Sequence, residues 1–400
     1  MSDDRRAARN QVLPLHYVDE LIDTARAGGL DAVGVCRAAP FVEARRALEE
    51  RKAEGLAGSM QFTYRNPTRS TDPSLTVRDA QSLLVGALFY RRQLPQRSEK
   101  SEKSDKSEKS QRLASSDGPS MRVASFAWRS YYDIIRSALA PVVDRLRHDG
   151  HRAIVAADEN CLVDRAAAVR AGLGWYGKNA NVLLPGAGSW FVFGSVITDA
   201  PLVARDPPTV PDGCGACRRC IDACPTAAII APGVVDARRC LAWHVQAPGV
   251  FPLEYRAPLG DRFYGCDDCQ EVCPPNRRAD RWAAAAEPES MSHAFALEVL
   301  SASDDELTDR FDSWYIHDRD VDTLRRNALI VLGNALADDA TQRNEPARDA
   351  LRRYLLHRRP LLRAHAVWAA ERGGCHDLLA LVRDDTDPLV RAELPSSILS

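Results

Sequence analysis

Apolar positions along the chain switch between the spacing of a helix and that of a buried strand. Tyr17 to Ala27 carries them at helical spacing, and Leu30-Asp31-Ala32-Val33-Gly34-Val35-Cys36 follows as a strand. Pro40 to Glu54 is predicted as a helix with proline at its start, Gly55 to Ser59 as a loop, and Ser82 to Tyr90 as a buried strand. Tyr131 to Asp149 places Ile134, Ile135, Leu139, Val142, Val143 and Leu146 on one helical stripe. Arg152 to Ala157 is a strand ending at Asp158. Asp164 to Ala171 is a helix stopped by Gly172-Leu173-Gly174, and Trp190 to Ile197 is a further apolar strand. Alternating helices and strands imply a layered α/β or α+β domain.

Beyond about residue 290 the pattern is helical throughout. Pro360-Leu361-Leu362-Arg363-Ala364 and Pro388-Leu389-Val390-Arg391-Ala392 lie 28 residues apart, and Leu324-Arg325-Arg326-Asn327-Ala328-Leu329 is alike. These are weak repeats of helical-hairpin size, which suit a short HEAT-like solenoid or, more plainly, an ordinary helical cap. The stretch from Ser98 to Ser110 alternates Ser, Glu, Asp and Lys with no apolar residue. It cannot offset its ordering entropy by burial, so 98–120 is predicted to be a disordered surface insertion.

Composition narrows the class. The chain has 400 residues, enough for two or three domains, and its 45% hydrophobic content suffices for buried cores. A net charge of -2 excludes a uniformly basic coat but not a local basic face. No apolar run approaches the ~18 residues of a membrane helix, and the start Met1-Ser2-Asp3-Asp4-Arg5-Arg6 leads into no signal-peptide core. A cytoplasmic protein with no membrane association is expected.

Eight of the eleven cysteines fall between Cys214 and Pro274. The run Cys214-x2-Cys217-x2-Cys220-x3-Cys224-Pro225 has the spacing of a bacterial ferredoxin, in which three thiolates wrap one 4Fe–4S cluster and the fourth reaches a second. Cys266-x2-Cys269-x3-Cys273-Pro274 repeats the ending, with Cys240 completing the set. Crossed ligation is expected: Cys214, Cys217, Cys220 and Cys273 on one cluster, and Cys240, Cys266, Cys269 and Cys224 on the other. Zinc would use the Cys-x2-Cys pairs but has no need of the x3-Cys-Pro endings.

Other signals are weaker taken singly. Asp158 at a strand end suits a general acid of raised pKa, or a turn or capping residue. Gly172-Leu173-Gly174-Trp175-Tyr176-Gly177-Lys178-Asn179 has GxGxxG spacing, but its helix precedes the loop, which is wrong for a dinucleotide fingerprint. Residues 343–372 hold eight arginines against Glu345, Asp349 and Glu371, which fits a phosphate-binding face or a solvated helix surface. Cys36 and Cys375 are read as structural, and Cys161, three residues after Asp158, as a small buried thiol or a site lining.

Together these residues resemble the epoxyqueuosine reductase family, the cobalamin- and iron–sulfur-dependent enzymes of queuosine-tRNA biosynthesis. The segments that carry the resemblance are Asp158 to Arg165, Ala171 to Asn179, Gly188-Ser189-Trp190, the eight cysteines with Arg239-Cys240 and Tyr264 to Gln270, and Arg326-Asn327-Ala328. The cysteine set alone is largely shared with reductive dehalogenases. The chain departs from the family at Ser130-Tyr131-Tyr132, Glu159-Asn160-Cys161 and Gln246-Ala247-Pro248-Gly249. The resemblance implies an α+β chain of three parts: a cobalamin-binding catalytic α/β domain at 1–205, a ferredoxin-like double-cluster module at 206–285 and HEAT-like helices at 286–400. It implies that Arg69, Asp158, Lys178, Val182, Phe193 and Ala242 line the cobalamin pocket, and that Asp158 is the proton donor. It further implies a monomer, fed by an external electron donor, that reduces the epoxide of epoxyqueuosine to an alkene while the helical tail binds the tRNA anticodon stem-loop. A dehalogenase-like reductase of a small molecule and a ferredoxin-type electron-relay adaptor are the alternatives.

Overall fold

The computed structural model describes residues 11–93, 118–287, 290–338 and 344–399, and the chain is a mixed α+β protein. Most of the expected insertion at 98–120 lies outside those residues; from Ser120 the chain is strand. The chain divides into two compact units, the first drawing on Met1–Gln93, Ser130–Arg238 and Asp268–Ala284, the second on Leu94–Arg129, Arg239–Asp267 and Ala285–Ser400.

The first unit is built on a four-stranded antiparallel sheet, in the order Ala32–Arg37, Ser82–Phe89, Phe191–Thr198, Ala153–Ala156. The two central strands are buried almost throughout, which explains why their sequences are continuous apolar runs. Gly86 and Gly194 face each other across them. A Cβ on Gly194 would lie 2.3 Å from Ile135, and one on Gly86 2.4 Å from Leu30. This bare floor admits the helix Tyr131–His148. Its expected stripe is buried except Ile134, which is half-buried. The other face carries a cluster that includes Cys36, Leu83, Val85, Leu162, Ala167, Val182 and Phe193.

One predicted boundary moves. The helix expected from Pro40 runs Val42–Ala53. Phe41 is held out of it: its N–H donates to Thr71 at 2.7 Å, and its buried ring lies under the Arg170 guanidinium, 3.5 Å away.

The second unit contains a three-stranded sheet, Arg262–Tyr264, Ser120–Val123, His293–Phe295. The tail is therefore not helical from 290, because His293–Phe295 pairs antiparallel with Ser120–Val123. Helices follow at Ala296–Ser301, Asp304–Arg310, Asp322–Asp338, Glu345–Leu355, Pro360–Arg372 and Pro388–Glu393. Their starts carry ordinary signals: a Ser303–Glu306 capping box, Asn344 and Asp387 caps, and proline in the first turn at Pro360 and Pro388. The repeated Pro-Leu-x-Arg-Ala thus marks two helix starts. One core joins Met121, Trp128, Leu241, Phe251 and Phe263 to Leu324, Ala328, Leu329, Leu351 and Val367 of the tail. Among the described residues no helix is long and apolar enough to cross a membrane.

Candidate redox centre and acid site

The two Cys-Pro endings differ in setting: Cys224 lies in the loop after the short helix Arg219–Asp222. Cys273 caps the helix Pro274–Ala279 with proline in the first turn, and Cys269 lies on the short helix Asp268–Glu271. Burial, together with the charges of Cys214, Cys220 and Cys217, pushes the Cys273 thiol up to about 11. Burial likewise raises Cys220, with Cys214 and Cys217 adding to it. The four thiols expected on one cluster are thus within electrostatic reach of one another, in the first unit. Iron reverses the sign of that repulsion, because a coordinating thiol is deprotonated outright. Cys224 Sγ accepts the Ala228 N–H at 3.2 Å. Of the other expected set, Cys224 and Cys269 belong to the first unit and Cys240 and Cys266 to the second. Among the described residues no three His, Cys, Asp or Glu side chains gather as one metal ion requires. A cubane cluster, by contrast, holds its thiolates apart at separate corners.

Buried polar contacts fix these segments. Asn276, fully buried, accepts the Ser189 N–H at 2.6 Å and donates to Ser189 Oγ at 3.0 Å and to the Gln270 carbonyl at 2.9 Å. Gln270 Nε2 donates to the Tyr90 hydroxyl at 3.0 Å and to the Ser189 carbonyl at 3.1 Å. Gly188, at φ +75°, leaves room for this, since a Cβ there would meet Asn276 Oδ1 at 2.1 Å. The Gly-Lys loop is tied in as well. Lys178 Nζ donates to the Gly215 and Cys217 carbonyls at 2.6 and 2.9 Å, and Asn179 Nδ2 to the Cys269 carbonyl at 3.3 Å.

Asp158 follows the strand Ala153–Ala156 by two residues and stands at φ +59°, a left-handed conformation that aspartate tolerates better than most residues. It keeps open surface, yet lies deep enough that burial raises its carboxyl, against the opposing pull of Arg136 and Arg165. Asp164 is raised well above the usual carboxylate range by burial and by the charge of Asp158. Burial also raises the Tyr132 hydroxyl, with Asp158 and Asp164 adding to it. The Tyr132 departure from the family pattern is therefore a neighbour of this acid pair, a relation its sequence position did not reveal. Of the other expected pocket residues, Arg69 is exposed, Val182 and Phe193 are core residues at 1% and 6% exposure, and half-buried Ala242 lies in the second unit. Cys161 is half-buried, and Cys36 and Cys375 are buried.

In the second unit Arg326 is buried and donates to the carbonyls of His244, Ala247 and Gly249 at 2.7 to 2.8 Å. Asn327 Nδ2 donates to those of Val245 and Phe263. The pair therefore fastens the segment after Cys240 and the one before Cys266. The arginine-rich stretch is more neutralised than its own sequence shows. Arg348 pairs with Asp377 at 2.6 Å, Arg359 with Asp320 and Asp322 at 2.8 and 2.9 Å, and Arg363 with Asp385 at 2.6 Å. Arg343 lies outside the described residues.

Residues 213–276 match the 4Fe-4S double cluster binding domain. The epoxyqueuosine reductase of Staphylococcus aureus is 30% identical, covering 88% of this chain and 87% of its own. That of Vibrio cholerae is 31% identical, with 86% and 88% covered. A crystal structure of epoxyqueuosine reductase with an epoxyqueuosine-modified tRNA-Tyr stem loop matches with a TM-score of 0.81 at 26% identity, covering 95% of this chain and 97% of that one. A Bacillus subtilis structure, with its catalytic aspartate loop swung out of the active site, matches with a TM-score of 0.79 at 26% identity over 95% and 98%. The chain belongs to the epoxyqueuosine reductase family.

Proposed function

We propose that this chain reduces the epoxide of epoxyqueuosine in tRNA to the alkene of queuosine, and that Asp158 donates the proton. The observation that carries the reading is Asp158 itself: a carboxyl with open surface, raised by burial, on left-handed backbone, in a chain of this family. The reaction takes two electrons and two protons and releases the epoxide oxygen as water.

Cys214, Cys217, Cys220 and Cys273 would hold one 4Fe–4S cluster, and Cys224, Cys240, Cys266 and Cys269 the other, for one-electron transfer from an external donor. The mutual reach of the first four thiols and the amide bond to Cys224 fit that role. Arg69, Asp158, Lys178, Val182, Phe193 and Ala242 would line the cobalamin site. Asp164 Oδ1 and Trp175 Nε1, both buried without a hydrogen-bond partner, fit a polar ligand such as an amide-rimmed corrin. When bound, cobalamin supplies a strongly reducing cobalt centre for cleaving the carbon–oxygen bond. The chain's own contribution is to orient the substrate, exclude water and deliver a proton. Burial disfavours the charge of Asp158 and so favours its acid form, which would give its proton to the departing oxygen. The layout would be a catalytic domain at 1–205, a cluster module at 206–285 and HEAT-like helices at 286–400 that bind the anticodon stem-loop, in a cytoplasmic monomer.

The test is anaerobic reconstitution with iron, sulfide and cobalamin, then incubation with an epoxyqueuosine-bearing stem loop and a low-potential reductant. Mass analysis of the digested RNA should show loss of one oxygen from the modified nucleoside. Unchanged substrate with fully loaded protein would sink this reading in favour of a small-molecule reductase, and failure to take up cobalamin would point to an electron relay.

A further inference from the structure

Lys178 spends its ammonium on the cluster loop. Its Nζ donates to the Gly215 carbonyl at 2.6 Å and the Cys217 carbonyl at 2.9 Å, both inside the run from Cys214 to Cys220. Among the described residues no carboxylate pairs with it, so its charge is not cancelled locally. The peptide bond is planar and trans, so a carbonyl drawn toward the lysine turns the amide hydrogen of the same peptide the opposite way. The Gly215–Ala216 and Cys217–Arg218 peptides are both held in this manner. Hydrogen bonds to the sulfurs and net charge are two of the levers that set an iron–sulfur potential. Lys178 bears on the charge directly, and on the orientation of the loop amides through the two carbonyls it holds.

We propose that Lys178 is a positioning and potential-setting residue for the cluster bound by Cys214, Cys217, Cys220 and Cys273. It clamps the loop that carries three of the thiols and holds a positive charge against it. Adding an electron makes a cluster more negative, and a nearby cation favours that state, so Lys178 raises this cluster's reduction potential. The inference rests on the double-cluster reading of the cysteines and not on the identity of the substrate.

The experiment is a redox titration of the reconstituted full-length chain, followed by electron paramagnetic resonance, on wild type, Lys178→Met, Lys178→Gln and Lys178→Arg. The Met and Gln variants should shift one of the two clusters to a more negative midpoint and leave the other in place, with Arg closer to wild type. If Met and Gln lose one cluster's iron and Arg keeps it, the proposal stands as well, because the cation then holds the loop. Midpoints, iron content and rate of cluster loss in air all equal to wild type in the Met variant would overturn it. So would equal loss of iron from the Met and Arg variants. Failure of wild type itself to take up two clusters would instead strike the reading of the cysteines.

Discussion

The proposed acid role asks two things of Asp158: a carboxyl raised above its ordinary range, and a side chain presented to a ligand. Burial supplies the first, and the left-handed backbone at φ +59° turns the side chain out of the strand's alternation. Asp158→Asn keeps the shape and removes the proton. Iron content and cobalamin absorbance should be unchanged, while turnover falls by about 10²–10⁴-fold, the usual range for a general acid. Wild-type turnover should fall as pH rises through the raised pKa, since the acid form is then lost, and the residual Asn rate should lack that limb. An Asn variant within a few-fold of wild type would remove Asp158 from the mechanism. Asp164 makes a stability prediction. Its carboxyl is raised in the folded chain, so folding favours its protonated form, and the associated stability is lost as pH rises from the ordinary carboxylate range through the raised value. Asp164→Asn should therefore gain in thermal midpoint relative to wild type at pH 8 and show no such gain near pH 4. Equal differences at both values would contradict the burial argument. Asp158 was visible in the sequence as a strand end. Its coupling to Asp164 and Tyr132 was not, because Tyr132 belongs to a helix 26 residues upstream and only packing brings it there.

At the scale of elements, the long amphipathic helices and the apolar strands were readable from periodicity, because each buries one stripe or both faces. The short pieces were not. His293–Phe295 is three residues long, too few to show alternation, and owes its strand state to pairing with Ser120–Val123. The cysteines proposed as cluster ligands lie on short helices or in the loops beside them, so their placement depends on polar anchors that are distant in sequence. Arg326 is such an anchor. Burial pushes its guanidinium down to about 9, which still leaves it charged at neutral pH, and three carbonyls accept its hydrogen bonds. Arg326→Met would leave those carbonyls short of a donor, at a cost of roughly 3 kcal/mol or more. A domain of this size loses about 2–4 °C per kcal/mol, so a fall of several degrees in thermal midpoint is expected. A midpoint unchanged within about 1 °C would show that water replaces the arginine without loss.

Over the whole molecule, the tail is a structural part of its unit as well as the proposed RNA-docking surface. Leu324, Ala328 and Leu329 share one core with Met121, Trp128 and Phe263, so cutting the chain near residue 320 would unmake that core along with any RNA site. A cleaner test of RNA binding changes charge alone. The sequence suggested a basic face of eight arginines, but it could not show that Asp320, Asp322, Asp377 and Asp385 would fold back onto three of them. Arg353, Arg358 and Arg372 are exposed, and among the described residues none of the three has a carboxylate partner. Among the described arginines of this run they are the cations best placed to meet phosphates. Exposed substitutions of this kind usually change stability by only about 0.5 kcal/mol or less, so Arg353→Glu, Arg358→Glu and Arg372→Glu together should leave folding and cluster content close to wild type. Affinity for the tRNA stem loop should drop, and the slope of log affinity against log salt should become shallower by about one for each phosphate no longer engaged. Unchanged affinity and slope in the triple variant would move the RNA footprint off this helical surface, and the arginine run would then be a solvated, ion-paired face.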